Sequence, residues 1–422
     1  MKGLKRFSNE ILLFILWAIL LVVPHFQKSP SIPWLCITFL LFAVLNFIAS
    51  RSLLLSSYRI NYKIFTVFAS LILTSLLLTA YGVNFPYLLF SRLGSYSMFL
   101  HGRLVVFGDL IHLTSALGCG GTVQVGVIAC DPWNRAFNQN SDVIFILRFL
   151  PFHSHFVLGL FSLLFFFVTL FLLLRKYAPC SPLIWLMSLT PPMVLAIDRG
   201  NEILTIGLIS LSIIIWHRNN SSYLFCIPLF LAGVFKLWPF VLLVLVTIFN
   251  YRKSYFKILL PIGTVGVYLI SRVSDFRQIS HFTQTGSKLG GSFGWMLLKN
   301  LDSFSIFAII MSFICALILI RKTSILNLSQ LLKLQDNPWI LSLMMAYIFI
   351  FFSGTHFTYR LIVLFPLVIL INGFDGSRPL QVFIFSLFLT SRLTVVVLST
   401  SVLCLIFSAL ILNGLRTRYL RV

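Results

Sequence analysis

The sequence predicts an all-α protein, a polytopic bundle of transmembrane helices with about 12–14 crossings. Three observations predict it. Hydrophobic residues make up 59% of the 422 positions, charged residues 10%, and mean hydropathy is +0.99; a soluble domain carries about 25% charge. The apolar residues gather into long runs separated by short polar segments. The charges alternate from one polar segment to the next, basic on one side and acidic on the other.

Taken in order, the runs are 11–24, 33–50, 64–82, 153–174, 183–197, 203–216, 222–235, 238–250, 255–271, 293–320, 338–353, 357–373, 379–391 and 393–413. Several fall short of the roughly 20 residues a helix needs to cross. The pair 222–235 and 238–250 reads equally as two short crossings or as one broken helix, with Pro239 as the breaker. The first run lacks a small-residue cleavage site and meets Pro24-His25, so a removable leader is not expected. The runs divide the chain into an N-terminal helical hairpin (1–62), a core (63–373), and a C-terminal helical hairpin with a basic tail (374–422).

Orientation follows from Lys and Arg. With Met1 inside, 19 of the 32 basic residues fall inside, among them Arg175, Lys176, Arg218 and Lys257. Of the 10 acids only Glu10, Asp336 and Asp375 do. Both termini are then cytoplasmic, in a multi-pass protein of the plasma (inner) membrane. The net charge of +22 suggests no nucleic-acid partner, because the basic residues are scattered between apolar runs and form no stripe interleaved with aromatics.

Two outer segments stand out. Segment 83–152 is the longest and holds an apolar stretch at 104–117, the Gly-rich 117–121 and Asp131-Pro132-Trp133-Asn134-Arg135. It is expected to lie on the membrane as short interfacial helices. Segment 272–292 reads as a mobile loop, with Arg272, Asp275, Arg277 and several glycines. Cys119 and Cys130 share the first segment and form either a disulfide or two free thiols. No Gly-rich nucleotide motif interrupts the short inner loops, and no Cys/His spacing suggests zinc. No cofactor or metal is expected.

The polar residues that bear chemistry lie on the outer side. Asp109, at the outer end of an apolar stretch, suits a general base toward a sugar hydroxyl, or else caps a helix. Asp131 and Arg135, four apart, either bind substrate or pair locally. Asp198, Arg199, Asn201 and Glu202 crowd one tight turn between two apolar runs, where ionised groups are costly unless paired or functional. Lys236 is the sole charge across 222–250, and Pro239 places it at a helix break, a position suited to a phosphate. It could instead snorkel to the interface. Ser353 to Arg360 tops a later hairpin, where Arg360 offers a planar fork to phosphate oxygens and His356 can move a proton near neutrality.

Asp198-Arg199-Gly200-Asn201-Glu202, Val234-Phe235-Lys236-Leu237-Trp238-Pro239, and Thr358-Tyr359-Arg360-Leu361 followed by Pro366 resemble motifs of glycosyltransferase family 87. The resemblance covers roughly 64–373. It implies a GT-C-like fold with a long outer loop of interfacial helices, and a mannosyltransferase-like activity on a polyprenyl-phosphate sugar. An acidic residue of the long outer loop is that family's usual catalytic candidate, a placement Asp109 matches, with Asp131 in reserve. The chain departs from the family at Asn138-Gln139-Asn140, where an Asn-Tyr-Pro-Pro-like stretch is usual, and carries two extra N-terminal runs.

The residues support the same chemistry without the resemblance. A sugar on a lipid phosphate is already activated, because the phosphate departs as a stabilised anion. Cations must surround that phosphate (Arg199, Lys236, Arg360), and a base must meet the acceptor hydroxyl (Asp109, then His356). Asp131, Arg135, Asp198, Asn201, Glu202 and Tyr359 complete the expected substrate contacts. Expected partners are a lipid-linked sugar donor, a glycolipid or glycan acceptor, and membrane lipid. Direct attack with one base inverts the anomeric centre. A polysaccharide polymerase or ligase and a secondary transporter are the competing classes.

Overall fold

In the computed structural model the described residues are 99–100, 103–104, 107–118, 141–149, 154–177, 193, 196–197, 200–220, 222–251, 254–282, 292–293, 337–353, 356–372, 384, 402 and 406. They form an all-α structure. Ten helices are described: α1 (Gly108–Gly118), α2 (Ser141–Arg148), α3 (His155–Tyr177), α4 (Asn201–Arg218), α5 (Cys226–Phe235), α6 (Trp238–Asn250), α7 (Tyr255–Ser271), α8 (Val273–Phe282), α9 (Pro338–Phe352) and α10 (Leu364–Ile371). Single 3-10 turns precede α5 (Tyr223–Phe225) and α10 (Thr358–Val363). Two antiparallel pairs of two-residue strands complete the picture: β1 (Phe99–Leu100) with β2 (Arg103–Leu104), and β3 (Ser292–Phe293) with β4 (His356–Phe357). The runs at 11–24, 33–50 and 64–82 lie outside the described residues.

The longest helix shows why the sequence folds this way. α3 has 23 residues and almost no polar side chain before Arg175 and Lys176. One face, including Leu158, Leu163, Phe166, Leu170 and Leu173, is buried against α4 and α1. Val157, Phe161, Leu164, Val168 and Leu172, at helical spacing, are exposed. A helix apolar all round needs an apolar surrounding on every side. Among the described residues α3 is the one helix long and apolar enough to cross a membrane; α7 and α8 taken as one bent span make a second.

Several hydroxyls inside these helices bond to their own helix. Ser162 donates to Leu158 O (2.8 Å), Ser212 to Leu208 O (2.9 Å), Ser342 to Pro338 O (2.6 Å) and Thr264 to Leu260 O (2.9 Å). Closing a hydroxyl onto the preceding turn satisfies it where neither water nor a neighbouring helix offers a partner.

Ring contacts fix the helix directions. Tyr177 at the end of α3 meets His217 at the end of α4, and Trp216 of α4 bonds to Asn250 at the end of α6. Phe225, just before α5, stacks on Tyr251 after α6 and meets Trp339 at the start of α9 edge-on. Helices α3, α4 and α6 therefore run toward this end, and α5 and α9 run away from it. It also collects Arg175, Lys176 and Arg218, and will be called the basic end.

Segments 222–235 and 238–250 are two helices folded into a hairpin. Phe230 and Phe240 touch across it, ring centroids 5.3 Å apart, and α5 and α6 pack together along their length. Gly233 makes the tight return possible, since a Cβ there would lie 2.4 Å from the Phe240 ring. Segment 272–292 is not uniformly a loop. Its first part is α8, bent 66° from α7. Asp275 in the first turn of α8 favours that start, because an acid complements the helix N-terminal dipole.

Candidate functional site

The end opposite the basic end gathers the charges. Lys236 occupies the tip of the α5–α6 hairpin in an extended conformation (φ −145°, ψ 132°), and its N–H closes α5 by donating to Ala232 O at 2.9 Å. Leu237 and Pro239 then start α6, where a missing proline N–H costs nothing. The Lys236 ammonium lies 4.0 Å from Glu202 Oε1, at the start of α4. The carboxylate side chain is 1% exposed and the lysine 13%. Thus two sequence motifs 34 positions apart meet through opposite charges at one helix break. Thr205, one turn along α4 from Glu202, is also fully buried.

The Asp198–Glu202 turn is shaped by Gly200. It adopts a left-handed conformation (φ 77°) and its N–H bonds to Ala196 O at 3.0 Å, ending one helical turn and opening α4. Glycine takes this conformation without a Cβ penalty. The space above Gly200 is filled from α1: an added Cβ would stand 2.8 Å from Leu110 and 3.1 Å from Phe107. Phe107 itself has φ 59°, an uncommon value for a side chain of that size. Its ring is fully buried and lies so close to Gly159 that a Cβ there would be 2.1 Å away. The start of α1, which carries Asp109, is therefore docked onto the turn that leads to Glu202.

Asp109 sits half-buried in the first turn of α1. His112, three residues on and 5% exposed, shares its side of the helix. Sequence reading passed over His112 because a histidine in an apolar stretch looks like packing; its i, i+3 spacing from Asp109 is the signal it offered.

A second polar cluster was not foreseen. Arg272, between α7 and α8, grips Asp142 of α2 with both Nε (2.8 Å to Oδ2) and a terminal guanidinium nitrogen on Oδ1. Ser141 donates to Asp275 Oδ2 at 2.9 Å. A forked, charge-assisted pair of this kind fixes orientation as well as distance. It secures α2, which also touches α5, to the bend where α8 departs.

Backbone pairing brings in two further segments. Ser292 and Phe293 pair with Phe357 and His356, so the end of segment 272–292 meets the segment that holds His356. The turn Thr358–Val363, which holds Tyr359 and Arg360, packs against α4. Asn201 is the first residue of α4. Asp131, Arg135, Asp198 and Arg199 lie outside the described residues, as do Cys119 and Cys130. Of the expected site residues, the structure thus joins Glu202 and Lys236 directly and docks the Asp109 helix onto the turn before Glu202. The turn that carries Tyr359 and Arg360 packs against α4, the helix whose first turn holds Glu202. Among the described residues no group of three His, Cys, Asp or Glu side chains is placed to hold a metal ion.

Comparisons with known protein families, with curated proteins and with solved structures find no match to this chain.

Proposed function

We propose that this chain is an integral membrane glycosyltransferase that moves a mannose-like hexose from a polyprenyl-phosphate donor to a glycolipid or glycan acceptor, on the extracytoplasmic face of the plasma membrane. The observation that carries this reading is Lys236, a half-buried cation at the tip of a helical hairpin with the buried Glu202 beside it. The 3-10 turn and α5 together run Tyr223–Phe235, and α6 has 13 residues. At 1.5 Å per residue each arm is about 20 Å long. That is shorter than an apolar layer of about 30 Å, so on this reading a hairpin that starts at one face of the layer turns back within it. An ionisable group at that depth is retained for a task, because its desolvation is costly.

Membrane embedding is supported by the exposed apolar stripe of α3 and by hydroxyls closed onto their own helices. The long exposed apolar residues of α7, among them Phe256, Leu259, Val267 and Ile270, agree with it. Both termini are then cytoplasmic, with the basic end inside. A prenyl tail would occupy the space between helices that already face lipid.

The reaction needs two things from the protein. The acceptor oxygen attacks the anomeric carbon as the bond to the phosphate oxygen breaks, so negative charge grows on the departing lipid phosphate. Lys236, with Arg199 and Arg360 as further candidates, stabilises that charge; such stabilisation is often the largest catalytic contribution. The acceptor's proton goes to Asp109, with His356 in reserve, and a single in-line displacement inverts the anomeric centre.

The test uses full-length protein in lipid nanodiscs with labelled polyprenyl-phosphohexoses and a panel of glycolipid acceptors. Hexose incorporation is expected, with Asp109→Asn lowering the rate by about 10²–10⁴-fold while the variant remains folded. Wild-type protein that transfers no hexose from any donor overturns the assignment. Asp109→Asn turning over at the wild-type rate removes Asp109 from it.

A further inference from the structure

We propose that Glu202 is a positioning residue: its carboxylate is the fixed counter-ion that keeps the Lys236 ammonium charged and aimed at the donor phosphate, and it does not touch the substrate itself. This rests on the reading of Lys236 as a phosphate ligand, and it reassigns Glu202 from substrate contact to support.

The exposures set the order of the two groups. The Glu202 side chain is 1% exposed and that of Lys236 is 13%, so the ammonium is the more accessible of the two groups. Charge requires the same order. A carboxylate facing a phosphate would repel it, whereas one shielded by a lysine lends that lysine its charge. A buried lysine without a counter-ion loses its proton readily, because burial disfavours the charged form. An ammonium with three N–H donors can engage a carboxylate and a phosphate at once. The 4.0 Å separation, looser than the forked Arg272–Asp142 pair, suits a cation shared in this way.

Among the described residues, α2 contributes Arg148 and Asp142, the latter held by Arg272, and α1 contributes Asp109. From α7 comes Lys257, over the Tyr251 ring at the basic end. Helix α4 adds His217 and Arg218, also at the basic end, and α9 carries no charged side chain. Arg360 lies on the turn packed against α4. Glu202 is the described carboxylate that pairs with the ammonium.

The experiment measures binding of a prenyl methyl phosphodiester, whose single charge is constant with pH, to full-length protein in nanodiscs. Wild-type affinity is expected to be flat from about pH 6 to about pH 9, since the counter-ion holds the lysine proton. In Glu202→Gln that counter-ion is gone, so affinity should drop about tenfold or more as pH rises through that window. Glu202→Gln combined with Lys236→Arg should be flat again, because a guanidinium stays protonated. Glu202→Asp keeps the charge and serves where the Gln variant does not fold; it should bind more weakly at every pH. A Glu202→Gln curve that follows the wild type, or Glu202→Asp binding at wild-type strength, overturns the counter-ion role. A wild-type protein that binds no diester at any pH overturns the phosphate reading of Lys236 instead.

Discussion

The two ends of the helical bundle are tied by different chemistry. At the basic end, among the described residues, neutral hydrogen bonds tie the helices. Trp216 Nε1 donates to Asn250 Oδ1 (2.9 Å), Asn250 Nδ2 to Asn220 O (3.0 Å), and Tyr251 Oη to Ser222 O (3.1 Å). Tyr177 Oη and His217 Nδ1 lie 2.9 Å apart. Burial pushes the Tyr251 phenol up to about 12, so it stays a neutral donor. At the other end the ties are ionic: Lys236 with Glu202, and Arg272 with Asp142. Neutral bonds between helix ends are an economical way to hold a bundle together. Ion pairs in low dielectric are not, since desolvation offsets most of their attraction.

Three substitutions would break or sharpen this contrast. The largest effect is expected from Lys236→Met, which strands the Glu202 carboxylate in the interior. Thermal or denaturant unfolding in detergent should show a loss of about 3–5 kcal/mol, most of it recovered by adding Glu202→Gln. A variant as stable as wild type would make the two ends energetically alike. Next comes Gly159→Ala, whose Cβ would stand 2.1 Å from the Phe107 ring. Overpacking there should cost about 1–3 kcal/mol, and Phe107→Leu in the same chain should return part of it. The smallest is Trp216→Phe at the basic end. Loss of one neutral bond should lower stability by about 1 kcal/mol and leave hexose transfer unchanged. Transfer that falls with Trp216→Phe would assign the basic end a share in the site.

Much of this was legible in the residues. The runs at 238–250, 255–271 and 338–353 match α6, α7 and α9 to within a residue, because uninterrupted apolar sequence between polar breaks leaves helix as the way to pair its backbone. Whether 222–250 folded back was not legible. Pro239 marks a break, but the direction of exit is set by Gly233 and Phe240 meeting across it. The helical part of 272–292 was hidden by the glycines further along the segment, which dominate its composition. At the site, the turn 198–202 and Lys236 were each conspicuous as charges in apolar surroundings. That Glu202 and Lys236 face each other, and that Asp142 meets Arg272 from 130 positions away, depends on packing between helices and leaves no trace in local pattern.

The ring of Phe107 has one more consequence. It is keyed into notches left by Gly159 on one helix and Gly200 on the turn before another. Helix α1 therefore cannot shift without levering the start of α4. A larger side chain at either glycine would thus push on the Asp109 helix and on the start of α4 at once.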